Sequence, residues 1–371
     1  MDSSPLNHLP PETLHQIFSS LHLRHIAAAK CVCRSLRASL SSPSFLHLLR
    51  SNHHHHPLPL LALKPSHRHS TSSPAALHAF DPSSSRWLRF SLSFLPFSSL
   101  HPITSAAGLL YLWASSPTPQ NPQKSLVVCN PVTAQFKTLP QLGSAWSRHG
   151  SVLAGSSTSA VIVLTELAVL YYPSNTNNPN WLKFSSNLPS KPRSPVLISD
   201  SILAICDVGS PWRPQWAMFK TSIIGVDRAM QWARLARREW GDIFDILKRP
   251  RLVKAGCNRK VFMVGGLRSS YGLQSECSTI LILRLDLENL EWEEAGRMPV
   301  EMYRCFVESS KFKVFGGGGR VCFSAKRVGR LALWEEKGNG KADWMWVDGG
   351  PGNGDGLCRG FTFEARLDAV L

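Results

Sequence analysis

Histidine disappears from this chain after position 149. All 14 histidines lie at or before that point, and 12 of them precede residue 80. The rest of the chain therefore has no imidazole for a metal centre or a Ser-His-Asp triad. Nine cysteines are present, but the closest pair, Cys31 and Cys33, is separated by one residue. That spacing is wrong for a zinc knuckle, and it leaves buried free thiols in a reducing compartment as the expectation. The glycine-rich stretch 349–356 contains no Gly-Lys-Ser/Thr and no helical pattern follows it, so it reads as a loop rather than a phosphate cradle. No cofactor and no metal are expected. Long apolar runs are missing too. Ser159 to Tyr172 is the longest, and Glu166 interrupts it. It falls short of the roughly 20 residues needed to cross a bilayer, so paired strands are expected there and no membrane partner. The start, Met1-Asp2-Ser3-Ser4, has neither the basic nor the apolar region of a secretory leader. The expected location is the nucleus or cytoplasm.

Acidic residues are scarce: 25 against 41 Lys and Arg, for a formal charge of +16. The excess is concentrated. Arg228 to Lys260 holds ten basic and three acidic residues, and Ser310 to Arg330 holds six basic and none acidic. Such stretches attract acidic or phosphorylated partners. No helix-turn-helix, zinc finger or similar module is present, so nucleic acid is not the expected partner. A length of 371 residues with 43% hydrophobic content allows a small domain and a large one, and 26 Pro with 25 Gly points to many turns.

The first fifty residues read as helical. Pro10-Pro11 suits a first helical turn, where a missing N–H costs nothing. Leu14, Ile17, Phe18 and Leu21 then recur on one helical face. A second helix is expected from Leu23 to Cys33, a short third over Leu36 and Leu40, and a further turn after Ser42 that carries Phe45, Leu46 and Leu49. Residues 51–76, with His53 to His56, prolines and a Ser/Thr cluster, read as a solvated linker containing one short strand at Leu58–Leu63.

Beyond the linker the pattern changes to short apolar runs. Each unit carries an acidic or amide residue at a turn, followed a few residues on by an aromatic. Ala79-Phe80-Asp81-Pro82 precedes Trp87, Val128-Cys129-Asn130-Pro131 precedes Phe136, and Leu285-Asp286-Leu287 precedes Trp292. The aromatics at 87, 136, 181, 232, 292 and 346 are separated by 49, 45, 51, 60 and 54 residues. A period near 50 is that of a four-stranded propeller blade of kelch type. In the fifth unit, Val261 to Val264 reads as a strand ended by Gly265-Gly266. Short helices are expected over Leu235–Leu247 and Met298–Phe306, and Gly360 to Leu367 as a closing strand of the first blade.

Leu9-Pro10-Pro11-Glu12, Ile17-Phe18, Leu21, Cys31-Val32-Cys33-Arg34-Ser35 and Ser41-Ser42-Pro43-Ser44-Phe45 resemble, in order and spacing, the plant F-box. Leu36 stands where that family usually has Trp. With the repeats that follow, the whole chain resembles the plant F-box/kelch-repeat proteins. The resemblance implies a three-helix F-box over 1–50, a linker over 51–76 and a six-bladed kelch-type β-propeller over 77–371, hence an α plus all-β multidomain fold. It implies a non-catalytic adaptor of a Skp–cullin–F-box ubiquitin ligase, which would dock on a Skp-family adaptor and through it on a cullin and a RING protein. Carried over by position, docking would rest on Leu9, Pro10, Leu14, Ile17, Phe18, Leu21, Ile26, Val32 and Cys33. So small a unit needs about half of these for its own core. The propeller would hold a protein substrate, with Arg237, Arg238, Trp240 and Arg249 as candidate contacts to an acidic or phosphorylated partner. A copper oxidase on a kelch-type propeller would need His ligands, and the propeller region beyond His149 has none. A non-proteolytic kelch scaffold is the alternative reading.

Overall fold

The computed structural model describes residues 9–51, 57–64, 75–116, 124–155, 160–173, 180–210, 212–223, 230–269, 277–307, 312–338, 341–348, 350 and 357–371. The His53–His56 run and most of the 349–356 glycine stretch lie outside them.

Four helices open the described chain: α1 (Pro11–Ser19), α2 (Leu23–Val32), α3 (Arg34–Ser39) and α4 (Pro43–Ser51). The turn expected after Ser42 is a full helix. Ser42 Oγ accepts from the Phe45 N–H at 3.3 Å, so it caps α4 as its side chain suits it to do. Cys33 caps α3 in the same way, its Sγ accepting from the Leu36 N–H at 3.4 Å.

Among the described residues twenty-four strands follow, in six antiparallel four-stranded sheets. The first blade contains β1 (Leu58–Leu63), β2 (Ala76–Asp81) and β3 (Arg86–Ser91). The second is β4 (Ser99–Ala106), β5 (Leu109–Ser115), β6 (Lys124–Asn130) and β7 (Gln135–Thr138). After a short α5 (Ser144–His149), the third is β8 (Ser151–Ala154), β9 (Val161–Leu164), β10 (Ala168–Tyr172) and β11 (Leu182–Ser185). The fourth is β12 (Arg193–Ile198), β13 (Ser201–Asp207), β14 (Trp216–Ser222) and β15 (Ala233–Leu235). The fifth is β16 (Leu247–Lys254), β17 (Lys260–Arg268), β18 (Cys277–Asp286) and β19 (Trp292–Arg297). Then come α6 (Val300–Val307) and the sixth blade, β20 (Phe312–Gly317), β21 (Arg320–Ala325), β22 (Leu331–Glu336) and β23 (Ala342–Val347). The last strand, β24 (Gly360–Ala365), returns to the first blade and pairs with β1 from Leu58↔Ala365 to Leu63↔Gly360. It supplies the innermost strand of that blade, and the innermost strands β24, β4, β8, β12, β16 and β20 touch in a closed ring. This pairing covers the inner edge of β1 and closes the ring, leaving only the short edges that a propeller keeps. The Leu58–Leu63 strand expected inside the linker is thus built into the blade.

The repeat signal has a physical basis. Each of the six aromatics lies in, or one residue before, the outermost strand of its blade. Two of them stitch one blade to its neighbourhood: Trp87 Nε1 donates to Asp348 O at 2.8 Å and Trp181 Nε1 to Pro140 O at 2.9 Å. The acidic or amide residue closes the turn into that strand. Asp81 accepts from the Ser83 N–H at 2.9 Å, Asn130 from Val132 at 2.9 Å and Asp286 from Glu288 at 2.8 Å, the side chain standing in for a backbone acceptor.

Two expectations are corrected. The diglycine Gly265-Gly266 does not end its strand; β17 runs through it to Arg268. A Cβ on Gly266 would lie 2.5 Å from Cys277 Sγ, so the glycine lets β18 approach. The helix expected over Leu235–Leu247 is only a 3₁₀ turn at Arg238–Trp240. Gly241 follows with φ +47°, which breaks the helix, and Leu247 is drawn into β16 and buried. The 298–306 expectation corresponds to α6, and Ser159–Tyr172 to the antiparallel pair β9 and β10.

Among the described residues no helix is long and apolar enough to cross a membrane. Cys129, Cys206, Cys322 and Cys358 are buried, whereas Cys31, Cys33, Cys257 and Cys305 are exposed, so the expectation of buried thiols holds for only part of the set. Burial pushes the thiols of Cys129 and Cys206 up to about 12 and about 11, which makes them poor nucleophiles.

Candidate adaptor-docking helices

The helical unit shares its core with the propeller. Phe18, Leu23, Ile26, Leu40, Phe45 and Leu49 form one apolar cluster with Leu60, Leu77, Leu92, Phe361 and Phe363 of the first blade and its flank. Burying side chains of this size stabilises by about 1.5–3 kcal/mol each. Polar contacts fix the seat. Arg24 pairs with the buried Asp81 carboxylate and donates to Ser84 Oγ at 2.8 Å. Arg50 Nη2 donates to Asp368 O at 3.0 Å. Inside the unit, the His15 ring lies 5.3 Å from that of Phe45 and its Nε2 is 3.0 Å from Ser39 Oγ, which ties α1 to α3. Sequence reading assigned His15 no part, because a lone histidine on a helix carries no distinguishing pattern.

The nine residues carried over as docking contacts separate into two groups. Phe18 and Ile26 are buried, and Leu14 and Leu21 pack half-buried against the same core. Leu36, at the position where the family has Trp, packs there as well. Leu9 is half-buried at the chain start. Pro10, Ile17, Val32 and Cys33 are exposed, Ile17 at 44% and Val32 at 74%. A β-branched aliphatic chain left so open on so small a unit is available to a partner. Lys30, close by on α2, is held below the ordinary lysine range, first by burial and then by Arg37, whose Nε donates to the Lys30 carbonyl at 3.1 Å.

The candidate substrate contacts are differently placed. Arg237 and Arg238 are exposed in the connection from the fourth to the fifth blade, and Arg249 is exposed at a bulge of β16. Trp240 is buried. Its Nε1 donates to Leu290 O at 2.8 Å, and its ring packs edge-on against Phe244 and Trp292. It is a packing residue of the blade interface, not a surface contact, because both its face and its N–H are already used. The sequence reading missed Trp212, which is 87% exposed. Its loop is braced by Asp207 Oδ1, which accepts from the Gly209 and Gln215 N–H groups at 3.0 Å each. A Trp outside the repeat spacing, beside Gly and Pro, was the available signal.

The helices match the F-box-like family model over residues 6–48. SKP1-interacting partner 15 of Arabidopsis thaliana is 55% identical over 378 aligned residues, which span 99% of this chain and 99% of that protein. Protein UNUSUAL FLORAL ORGANS of Arabidopsis thaliana is 22% identical over 99% of this chain and 86% of its own. Among solved structures, an ulvan lyase aligns over 67% of this chain and 72% of its own, with 11% identity and a TM-score of 0.38. With F-box helices at its start, a six-bladed propeller behind them and a relative of that identity along its whole length, the chain belongs to the plant F-box protein family.

Proposed function

We propose that this protein is the substrate-selecting adaptor of a Skp–cullin–F-box ubiquitin ligase. The observation that carries the reading is the full-length relationship to a protein named for its interaction with SKP1. The exposed Pro10, Ile17, Val32 and Cys33, beside Phe18 and Ile26 that are buried in the core, support docking through this end. The working parts are the F-box segment over 1–50 and the propeller behind it, whose first blade takes in β1 (Leu58–Leu63) from the 51–76 segment. The diglycine and outer-strand aromatics support reading the blades as kelch-type repeats. The propeller holds a protein client, the Skp-family adaptor links to cullin and RING protein, and ubiquitin transfer occurs on that assembly. This chain contributes proximity rather than chemistry: tethering raises the effective concentration of a client lysine at the charged conjugating enzyme. With that role goes a nuclear or cytoplasmic location.

The test is co-purification of the full chain with a Skp-family adaptor and a cullin. Capture of both is expected. Failure to capture the adaptor sinks the reading, and capture of adaptor without cullin turns it to a non-proteolytic scaffold.

A further inference from the structure

The innermost strands all begin on one face of the propeller, here the front face. In an antiparallel blade the turns from second to third strand and the connections between blades open on that same face. The turn 82–85 and the stretch after β24, which meet Arg24 and Arg50, open on the back. The F-box helices therefore engage the back, and the front remains unclaimed.

Basic residues converge there. Arg193 begins β12, Arg249 and Arg251 lie near the start of β16, and Arg359 immediately precedes β24. β12 and β16 are neighbours in the inner ring, while β20 stands between β16 and β24, so the group spans the axial mouth. Local backbone shapes it. Both β12 and β16 are bulged at this end, with Ser194 at φ +46° and Arg249 at φ +57°, each just before a proline. Non-glycine residues hold such angles only when their surroundings enforce them, and strain of this kind gathers at functional sites. Arg251 Nη1 donates to Ser194 Oγ at 3.4 Å, and the Arg193 guanidinium lies 4.1 Å above the Trp216 ring. Burial first, then Arg193, Arg359 and Arg249, hold Arg251 below the ordinary arginine range. Arg193 is lowered by burial and by Arg249, with Asp207 acting against them. Among the described residues none of these four arginines forms an ion pair with a carboxylate. Like charges gathered at a half-buried mouth favour an anion between them. Exposed apolar side chains flank the mouth on this face: Trp212, in the turn between β13 and β14, and Leu167, in the turn between β9 and β10.

We propose that the front face is where the client docks, and that Arg193, Arg249, Arg251 and Arg359 seat a phosphorylated serine or threonine of that client while Trp212 covers a neighbouring apolar residue. This rests on the client-selecting role proposed above. A phosphate offers three oxygens and nearly two charges to planar guanidinium forks, whereas a single carboxylate neutralises too little of the group. Nucleic acid is recognised by charges spread along an exposed stripe, and these arginines close around an axis.

The test uses the full chain bound to its Skp-family adaptor and bead-bound degenerate peptides in three forms: phosphoserine/phosphothreonine, unphosphorylated, and glutamate-substituted. A 20-base-pair DNA duplex is the competitor. Retention on the phosphorylated beads should exceed the other two forms at least tenfold, and the duplex should not displace it. Arg193→Gln/Arg251→Gln should remove the preference. Arg359→Gln, at an exposed position, should weaken it at least threefold and keeps the test open should the double variant fail to fold. Equal retention of the three forms, displacement by duplex, or a preference that survives both variants overturns the proposal. Adaptor capture is read in the same samples. If it persists while the preference is absent, the anion seat fails and the adaptor role stands; if wild-type chain captures no adaptor, the role itself fails.

Discussion

Ile17 and Ile26 show how one apolar residue type serves two ends within a single helical unit. Ile26 is fully buried and Ile17 is 44% exposed. Ile17→Asp or Val32→Asp should abolish adaptor capture in a pull-down with little change in melting temperature, because both side chains already face water. Ile26→Ala should cost about 2–5 kcal/mol, read by denaturant unfolding, and lose capture only through loss of fold. Leu21→Asp would confuse the two, since Leu21 packs on the core. Lys64 gives a second residue-scale prediction. Its ammonium is 5.7 Å from the Phe361 ring centroid, and burial, with Arg359 adding to it, lowers its pKa to about 8. The charge opposes folding fully below pH 8. Between pH 8 and the unfolded-state value near 10.5 the unfolded chain holds the extra proton, so this penalty fades as pH rises. Lys64→Met should be more stable than wild type at pH 7, and its advantage in unfolding free energy should shrink between pH 8 and 10. An advantage that is flat across that range refutes the assignment.

At the level of elements, the aromatics announced every blade, because one recurs at the outermost strand of each, and an Asx-closed turn precedes it in three. Asp81, Asn130 and Asp286 carry the same turn in three blades. The 235–247 segment misled because Trp240, Ile243, Phe244 and Leu247 have helical spacing, yet they pack against β18 and β19 side chains that lie far away in sequence. The front-face arginines were half legible: charge density marked 228–260, but nothing in the chain near Arg193 or Arg359 announces that closure brings them to one mouth. The same closure yields a prediction. Removal of Gly360–Leu371 takes away β24, exposes the β1 edge and strips Phe361 and Phe363 from the shared core. Limited proteolysis of that variant should cut at both the first blade and the F-box, and its unfolding should lose cooperativity.

On the scale of the whole molecule, the two proposed tasks fall on opposite faces. The F-box helices and their Arg24 and Arg50 contacts sit at the back, and the arginine mouth opens at the front. Ligands of the two faces do not compete for surface. Adaptor binding should therefore change phosphopeptide affinity by less than about twofold in a titration, a coupling free energy below roughly 0.4 kcal/mol. A larger coupling would mean that the shared core transmits strain across the propeller.

The seam between β1 and β24 also imposes an order of events in the cell. A ribosome releases the F-box helices first, yet part of the apolar floor beneath them, Phe361 and Phe363, is synthesised after all the other blades. A nascent or prematurely terminated chain carries those helices on an unfinished support, open to chaperones and proteases. The F-box helices of a chain that stops short of β24 therefore lack the part of their floor that Phe361 and Phe363 complete.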